Sequence, residues 1–133
     1  MKYLLDTNAC VRYINARAPR LVQKLRTIAR SDMMVSAVTK AELFYGSAKS
    51  QTPQLSRQKQ DIFLRQFKSL PFDDVTADYY GMIRAMLERR GTPISHPDLQ
   101  IAAIALVHDL ILVTHNTKEF SRVDGLRLED WEA

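Results

Sequence analysis

A single cysteine, Cys10, stands among the 133 residues, so no disulfide can form within the chain and a reducing cytoplasm is the expected location. Long hydrophobic runs are missing too. The longest, Ile101 to Val107, has seven residues, against the roughly 20 that a membrane-crossing helix needs. The opening run Tyr3-Leu4-Leu5 is cut short by Asp6 and cannot act as the apolar region of a signal peptide, so no membrane association is expected. With four glycines and five prolines, no linker or low-complexity segment divides the chain. One domain spanning residues 1–133 follows. Neither a P-loop nor a G-x-G-x-x-G occurs, which argues against a nucleotide-binding enzyme. His96, His108 and His115 lack the spacing of a zinc site. Cys10 has no matched His and carboxylate set that would make it a nucleophile.

What remains is an ordinary globular composition with a basic balance. Hydrophobic residues make up 46%, enough for a core without staples at this length. The formal charge is +4, which favours a polyanionic partner because clustered Lys and Arg release counterions on meeting phosphates. The same charge also suits a solvated surface with no such partner.

The apolar pattern alternates between short runs and helical stripes. Tyr3 to Leu5, Met33 to Val35 and Leu110 to Val113 are short enough to be buried strands, and Pro71-Phe72 and Leu126 to Leu128 are candidates for edge strands. Between them, Ala9 to Asn15 reads as a short helix. Leu21, Val22, Leu25, Ile28 and Ala29 mark a helix from Pro19 to Arg30. Ser36 can cap a helix that carries Glu42 and Gly46. Leu55, Ile62, Phe63, Phe67 and Leu70 indicate a further helix over Pro53 to Leu70, polar in its middle and expected to project from the body. Thr76 to Arg90 is amphipathic and stops at Gly91. Ile101 to Val107 is apolar on all sides, hence a central helix, and Asn116 to Ser121 is a turn or short helix. Strands alternating with helices predict a three-layer α/β/α sandwich with a mostly parallel, doubly wound central sheet.

Three carboxylates occupy unusual places: Asp6 ends a strand, Glu42 lies in an apolar helical stretch, and Asp98 begins the most apolar helix. Taken singly, each has a structural explanation. Asp6 can cap the next helix, Glu42 can face solvent, and Asp98 can form a capping box with Ser95. In an open α/β sheet, however, all three can meet at one edge. Two carboxylates about 5 Å apart repel by roughly 3 kcal/mol at an effective dielectric near 20, so such a cluster calls for a cation or for protonation. Carboxylate oxygens suit Mg²⁺ or Mn²⁺, which can activate water beside a phosphoryl group.

The segments Leu4-Leu5-Asp6-Thr7-Asn8, Ala41-Glu42-Leu43-Phe44-Tyr45-Gly46, Asp98-Leu99-Gln100-Ile101-Ala102-Ala103 and Val113 to Phe120 resemble, in order, the motifs of PIN-domain ribonucleases. Val123 to Trp131 resembles the tail of their VapC-type toxin branch. The resemblance runs over nearly the whole chain. It implies a metal-dependent endoribonuclease toxin of a type II toxin–antitoxin pair that cleaves cellular RNA, often tRNA, and so arrests translation. Its implied partners are a cognate VapB-type antitoxin and a second copy of itself in a homodimer. Asp6, Glu42 and Asp98 match the family's acids, and Asp6 with Asp98 are assigned to Mg²⁺, with Mn²⁺ able to substitute.

The family's fourth acid falls at Asn116, a departure from the four-acid pattern, and Glu119 lies three residues later. Asn116 and Glu119 therefore complete the candidate catalytic set. Thr7, Asn8 and Thr114 are candidates for supporting hydrogen bonds. An antitoxin tail carrying a cation is expected against apolar positions in Leu21 to Ile28 and Pro53 to Leu70. The alternatives are a PIN nuclease of RNA processing or DNA cleavage without an antitoxin, and a binding module that has lost its metal.

Overall fold

Five short strands, none longer than four residues, build the sheet around which the computed structural model of residues 1–133 is organised. They are β1 (Tyr3–Leu5), β2 (Met33–Ser36), β3 (Lys68–Leu70), β4 (Ile111–Val113) and β5 (Leu128–Glu129). All pairings are parallel, in the order β3-β2-β1-β4-β5. Parallel strands need crossovers that cover both faces, so their sequences are apolar throughout and not alternating. That is why Tyr3 to Leu5 and Ile111 to Val113 read as solid runs. The pleat then sends alternate residues to opposite faces. Leu4, Met34 and Leu112 join one core, while Leu5, Val35 and Val113 join the other.

The first core lies under α5 (Asp74–Arg89) and α6 (His96–Val107). Every residue of α6 from Ile101 to Ala105 is buried, and the small Ala102, Ala103 and Ala105 let this helix sit close to the sheet. The second core lies under α1 (Thr7–Ile14), α2 (Pro19–Thr27), α3 (Ala37–Ala48) and α4 (Pro53–Leu64). A last short helix, α7 (Thr117–Phe120), follows β4 and buries Phe120. The predicted α/β/α sandwich is the observed one.

Several boundaries differ from expectation, each for a local reason. Helix α2 stops at Thr27, where the Thr27 hydroxyl donates to Lys24 O at 2.7 Å and the Arg30 guanidinium donates to Leu25 O at 3.2 Å. These bonds take up the carbonyls at the helix end, and residues 30–32 form a 3-10 turn. The helix expected through residue 70 ends at Leu64. Lys68 to Leu70 pair with Met34 to Ser36 as the edge strand, displacing it from Pro71-Phe72. Phe63, Phe67 and Leu70 are all buried, so their spacing mimicked one helix while spanning two elements. Pro71, which has no N–H, sits just beyond the strand, where a ladder donor is not needed. Strand β5 starts two residues later than expected.

Helix α4 does not project. It runs along α3 as a hairpin, with Gln60 Nε2 donating to Leu43 O at 2.9 Å and Phe63 and Leu64 sunk in the core. Leu21 and Leu25 are fully buried, so of the apolar positions expected to meet a partner in Leu21 to Ile28 only the half-buried Val22 and Ile28 reach solvent. On α4 the exposed apolar residues are Leu55 and Ile62.

Candidate active site

Strands β1 and β4 are neighbours, yet their connections leave toward opposite faces of the sheet, β1 into α1 and β4 toward α7. Such a switch point opens a crevice beyond the carboxyl ends of the strands. Asp6 sits at its floor. Its backbone N–H donates to Val113 O at 3.1 Å, and its side chain accepts from Ala9 N at 2.7 Å. The residue is thus both the cap of α1 and the innermost acid, only 3% exposed. Burial raises its carboxyl to about 6, and the negative charges of Asp98 and Glu132 add to the rise. The Thr114 hydroxyl and the Ala9 amide pull in the other direction.

Glu42 comes from the second turn of α3. The Thr7 hydroxyl donates to its Oε1 at 2.6 Å and lies 3.0 Å from the Thr39 hydroxyl. Since Thr7 spends its one proton on the carboxylate, Thr39 must donate to Thr7. A buried threonine therefore orients the hydroxyl that orients the acid.

Asp98, in the first turn of α6, is also raised, chiefly by burial and then by the charges of Glu119 and Glu42, with the Ser95 hydroxyl opposing. The reciprocal capping box is not formed, because the Ser95 side chain accepts no bond from a helix N–H. The Ser95 hydroxyl instead bonds the Asp98 carboxylate, on which the charges of Glu119 and Glu42 also bear. Asn116 caps α7 and donates from Nδ2 to Glu119 Oε2 at 2.6 Å, while Glu119 Oε1 lies 3.4 Å from Ser95 N. Glu119 thereby links the start of α6 to the end of β4.

The charge of Asp98 bears on Asp6 and those of Glu42 and Glu119 bear on Asp98, so the four acids lie near one another, with Asn116 bonded to Glu119, Thr7 to Glu42 and Thr114 to Asp6. No three His, Cys, Asp or Glu side chains stand close enough to enclose a metal ion by themselves. The donor chemistry fits a hard cation nonetheless. Mg²⁺ is commonly held by one or two carboxylates, keeps several waters and takes oxygens from a substrate phosphate. A carboxylate raised by burial, and further by its acidic neighbours, is stabilised in its charged form by a bound cation.

Thr39 and Arg12 were not foreseen, and Ser95 was expected only as the capping partner of Asp98. Thr39 lies three residues before Glu42, one turn away on the same helix face, a signal that the sequence held. Arg12 donates from Nε to Glu132 at 2.7 Å, a pairing across 120 positions with no local signature. His115 pairs with Asp130 at the surface. Cys10 is fully enclosed, and burial pushes its thiol up, which suits a core residue and not a nucleophile.

The fold and site define an α/β domain whose oxygen acids converge on the switch point of a parallel sheet. The chain belongs to the PIN-domain family, which matches residues 3–126. Within it the resemblance is to VapC toxins. The chain is 40% identical over 131 residues to the tRNA(fMet)-specific endonuclease VapC of Shigella flexneri, with 98% of each covered. It is 38% identical over 133 residues to Ribonuclease VapC2 of Rickettsia felis, with 99% of each covered. The crystal structure of VapBC2 from Rickettsia felis, bound to a DNA fragment from its promoter, superposes with a TM-score of 0.92 over 98% of this chain and 99% of that one. The DNA-bound VapBC structure from Salmonella typhimurium gives 0.92 at 35% identity, covering 98% of both chains. The predicted VapC-type PIN ribonuclease reading stands.

Proposed function

We propose that this protein is a Mg²⁺-dependent endoribonuclease toxin, with Mn²⁺ able to substitute, that cleaves tRNA in the cytoplasm and is restrained by a VapB-type antitoxin. The observation that carries this reading is the convergence of Asp6, Glu42, Asp98 and Glu119, from four separated segments, on the end of β1. Asp6 and Asp98 would hold the metal, which when bound supplies positive charge at the scissile phosphate and acidifies water. Glu42, fixed by Thr7 and Thr39, keeps one oxygen free to take a proton from the attacking water. Glu119 and the Asn116 carbonyl oxygen order further water at the rim. The named relative from Shigella flexneri supports tRNA as the substrate.

A cleft of about 340 Å³ between α1, α3 and α4 reaches Thr7 and Glu42 and is walled by Val11, Ile14 and Leu43. It suits an antitoxin segment that brings a cation to the acids, and the VapBC assemblies among related structures support such a partner. No helix is long and apolar enough to cross a membrane. Homodimerisation belongs to the same reading.

The test is cleavage of a tRNA pool by purified toxin with Mg²⁺, with chelator, and with chelator followed by Mn²⁺. Activity is expected in the first and third conditions only. Asp98→Asn should abolish it, and Glu119→Gln should lower it by roughly 10- to 100-fold with partial recovery at higher Mg²⁺. Undiminished cleavage in chelator, or by Asp98→Asn, would overturn the metal assignment.

A further inference from the structure

Three adjoining clefts of about 550, 320 and 370 Å³ run along α1 and α2, away from the acids, and Val11 stands between the first of them and the cleft that reaches Glu42. The first contains Asn8 and Asn116, so it opens directly on the site. It shares Arg12 and Arg17 with the second, which shares Arg20 with the third, where Lys24 also lies. The acids along this path are already engaged. Glu132 holds Arg12 with a side chain only 9% exposed, Asp130 faces His115, and Glu129 accepts from Trp131 Nε1 at 2.9 Å. The cations are not. Arg17 and Arg20 are exposed, and they and Lys24 make no side-chain hydrogen bond or ion pair, while Arg12 has only its Nε committed.

A row of uncommitted cations leading away from a phosphodiester-cleaving centre matches a polymer with repeating anions. A single phosphate would need the cations to converge on one point, and here they follow one another along a line. The cleft that reaches Glu42 cannot take this role as well. Its one cation is Lys59. Arg57, further along α4, stacks 3.4 Å over the Phe44 ring and pairs with Asp61 at 3.0 Å.

We infer that single-stranded RNA flanking the cleaved bond leaves the site along this channel, with Arg17, Arg20 and Lys24 contacting successive phosphates and the free Nη groups of Arg12 contacting the phosphate next to the acids. The inference rests on the ribonuclease reading and assigns the path of its substrate. Arg17 and Arg20 act as binding residues, so their removal should raise KM and leave kcat in place.

The experiment compares wild type, Arg17→Ala/Arg20→Ala and, as a control on the opposite face of the sheet, Arg89→Ala. Cleavage of a tRNA pool gives KM and kcat. Binding of a labelled single-stranded RNA oligonucleotide is followed across a salt series in the inactive Asp98→Asn background, and affinity for the cognate antitoxin is measured on the same variants. The double variant should raise KM about threefold to tenfold. It should also flatten the dependence of log affinity on log salt by about 1.4, roughly 0.7 for each lost phosphate contact. Arg89→Ala should change neither. An unchanged slope and KM in the double variant would overturn the channel. So would an unchanged slope accompanied by weaker antitoxin binding, which would assign these cations to a protein partner. Failure of wild type to cleave any RNA would overturn the nuclease reading alone, since the slopes decide the channel without cleavage.

Discussion

Asp6 carries two duties that pull against each other. As the cap of α1 it must accept from Ala9 N, and as the innermost acid it must be ionised to hold a cation, although burial favours its neutral form. Its folded-state value of about 6 lies above the ordinary 3.8, so the folded protein binds this proton more tightly than the unfolded chain does. The stability from that proton is fully present below pH 3.8 and is lost as pH rises through about 6. The loss amounts to about 3 kcal/mol. In chelator, the wild-type melting temperature should therefore fall between pH 4 and pH 7 relative to that of Asp6→Asn, which keeps a capping oxygen without the charge. Adding Mg²⁺ at pH 7 should raise the wild type and leave Asp6→Asn unmoved. A wild-type profile parallel to the variant's across this window would show that the carboxylate is not strained by its surroundings. Asp6, Glu42 and Asp98 were legible as residues because each breaks an apolar pattern. Their distances were not, because Thr7, Thr39 and Ser95 set them through contacts between elements.

At the scale of elements, legibility followed the strength of local signals. Helix α5 shows its end in its sequence, where Gly91, at φ +72°, turns the chain out, but it starts two residues before the expected Thr76, because the Asp73 side chain accepts from Thr76 N and Oγ1 as the cap. Gly91→Ala should cost about 1–2 kcal/mol, since an L side chain is strained in the left-handed region. Denaturant unfolding at unchanged m would register it, and an unaltered midpoint would remove Gly91 as the stop. Helix α6 and strands β1, β2 and β4 were equally plain, because elements buried on all sides leave continuous apolar runs. The edge strands β3 and β5 were misplaced by two or three residues. An edge strand is half exposed, as at Lys68 and Ser69, so its composition no longer distinguishes it from the loop beside it. The break between α4 and β3 was hidden because Phe63, Phe67 and Leu70 keep helical spacing across it.

For the whole molecule, the two faces of the sheet divide the work. The face under α1 to α4 carries the cleft that reaches Glu42 and the basic channel, with Val11 of α1 between them. The opposite face carries α5, where Val75, Tyr79 and Met82 are 55, 40 and 68% exposed at helical spacing. If the chain pairs with a second copy as proposed, this stripe is the surface free to do so without blocking either path to the acids. Met82→Glu should then shift the protein from dimer to monomer in sedimentation velocity without lowering its melting temperature. A dimer that survives the change would place the contact elsewhere.

The adjacency of β1 and β4, with Tyr3 paired to Ile111, also determines how the gene can be divided. Asp6 and Glu42 are encoded before the turn at Gly91, and Asp98, Asn116 and Glu119 after it. Two separately expressed pieces, which that strand pairing and the packing of α5 on α6 would bring together, would each lack part of the site. Each should be harmless to its host, and toxicity would return only where both are made and meet.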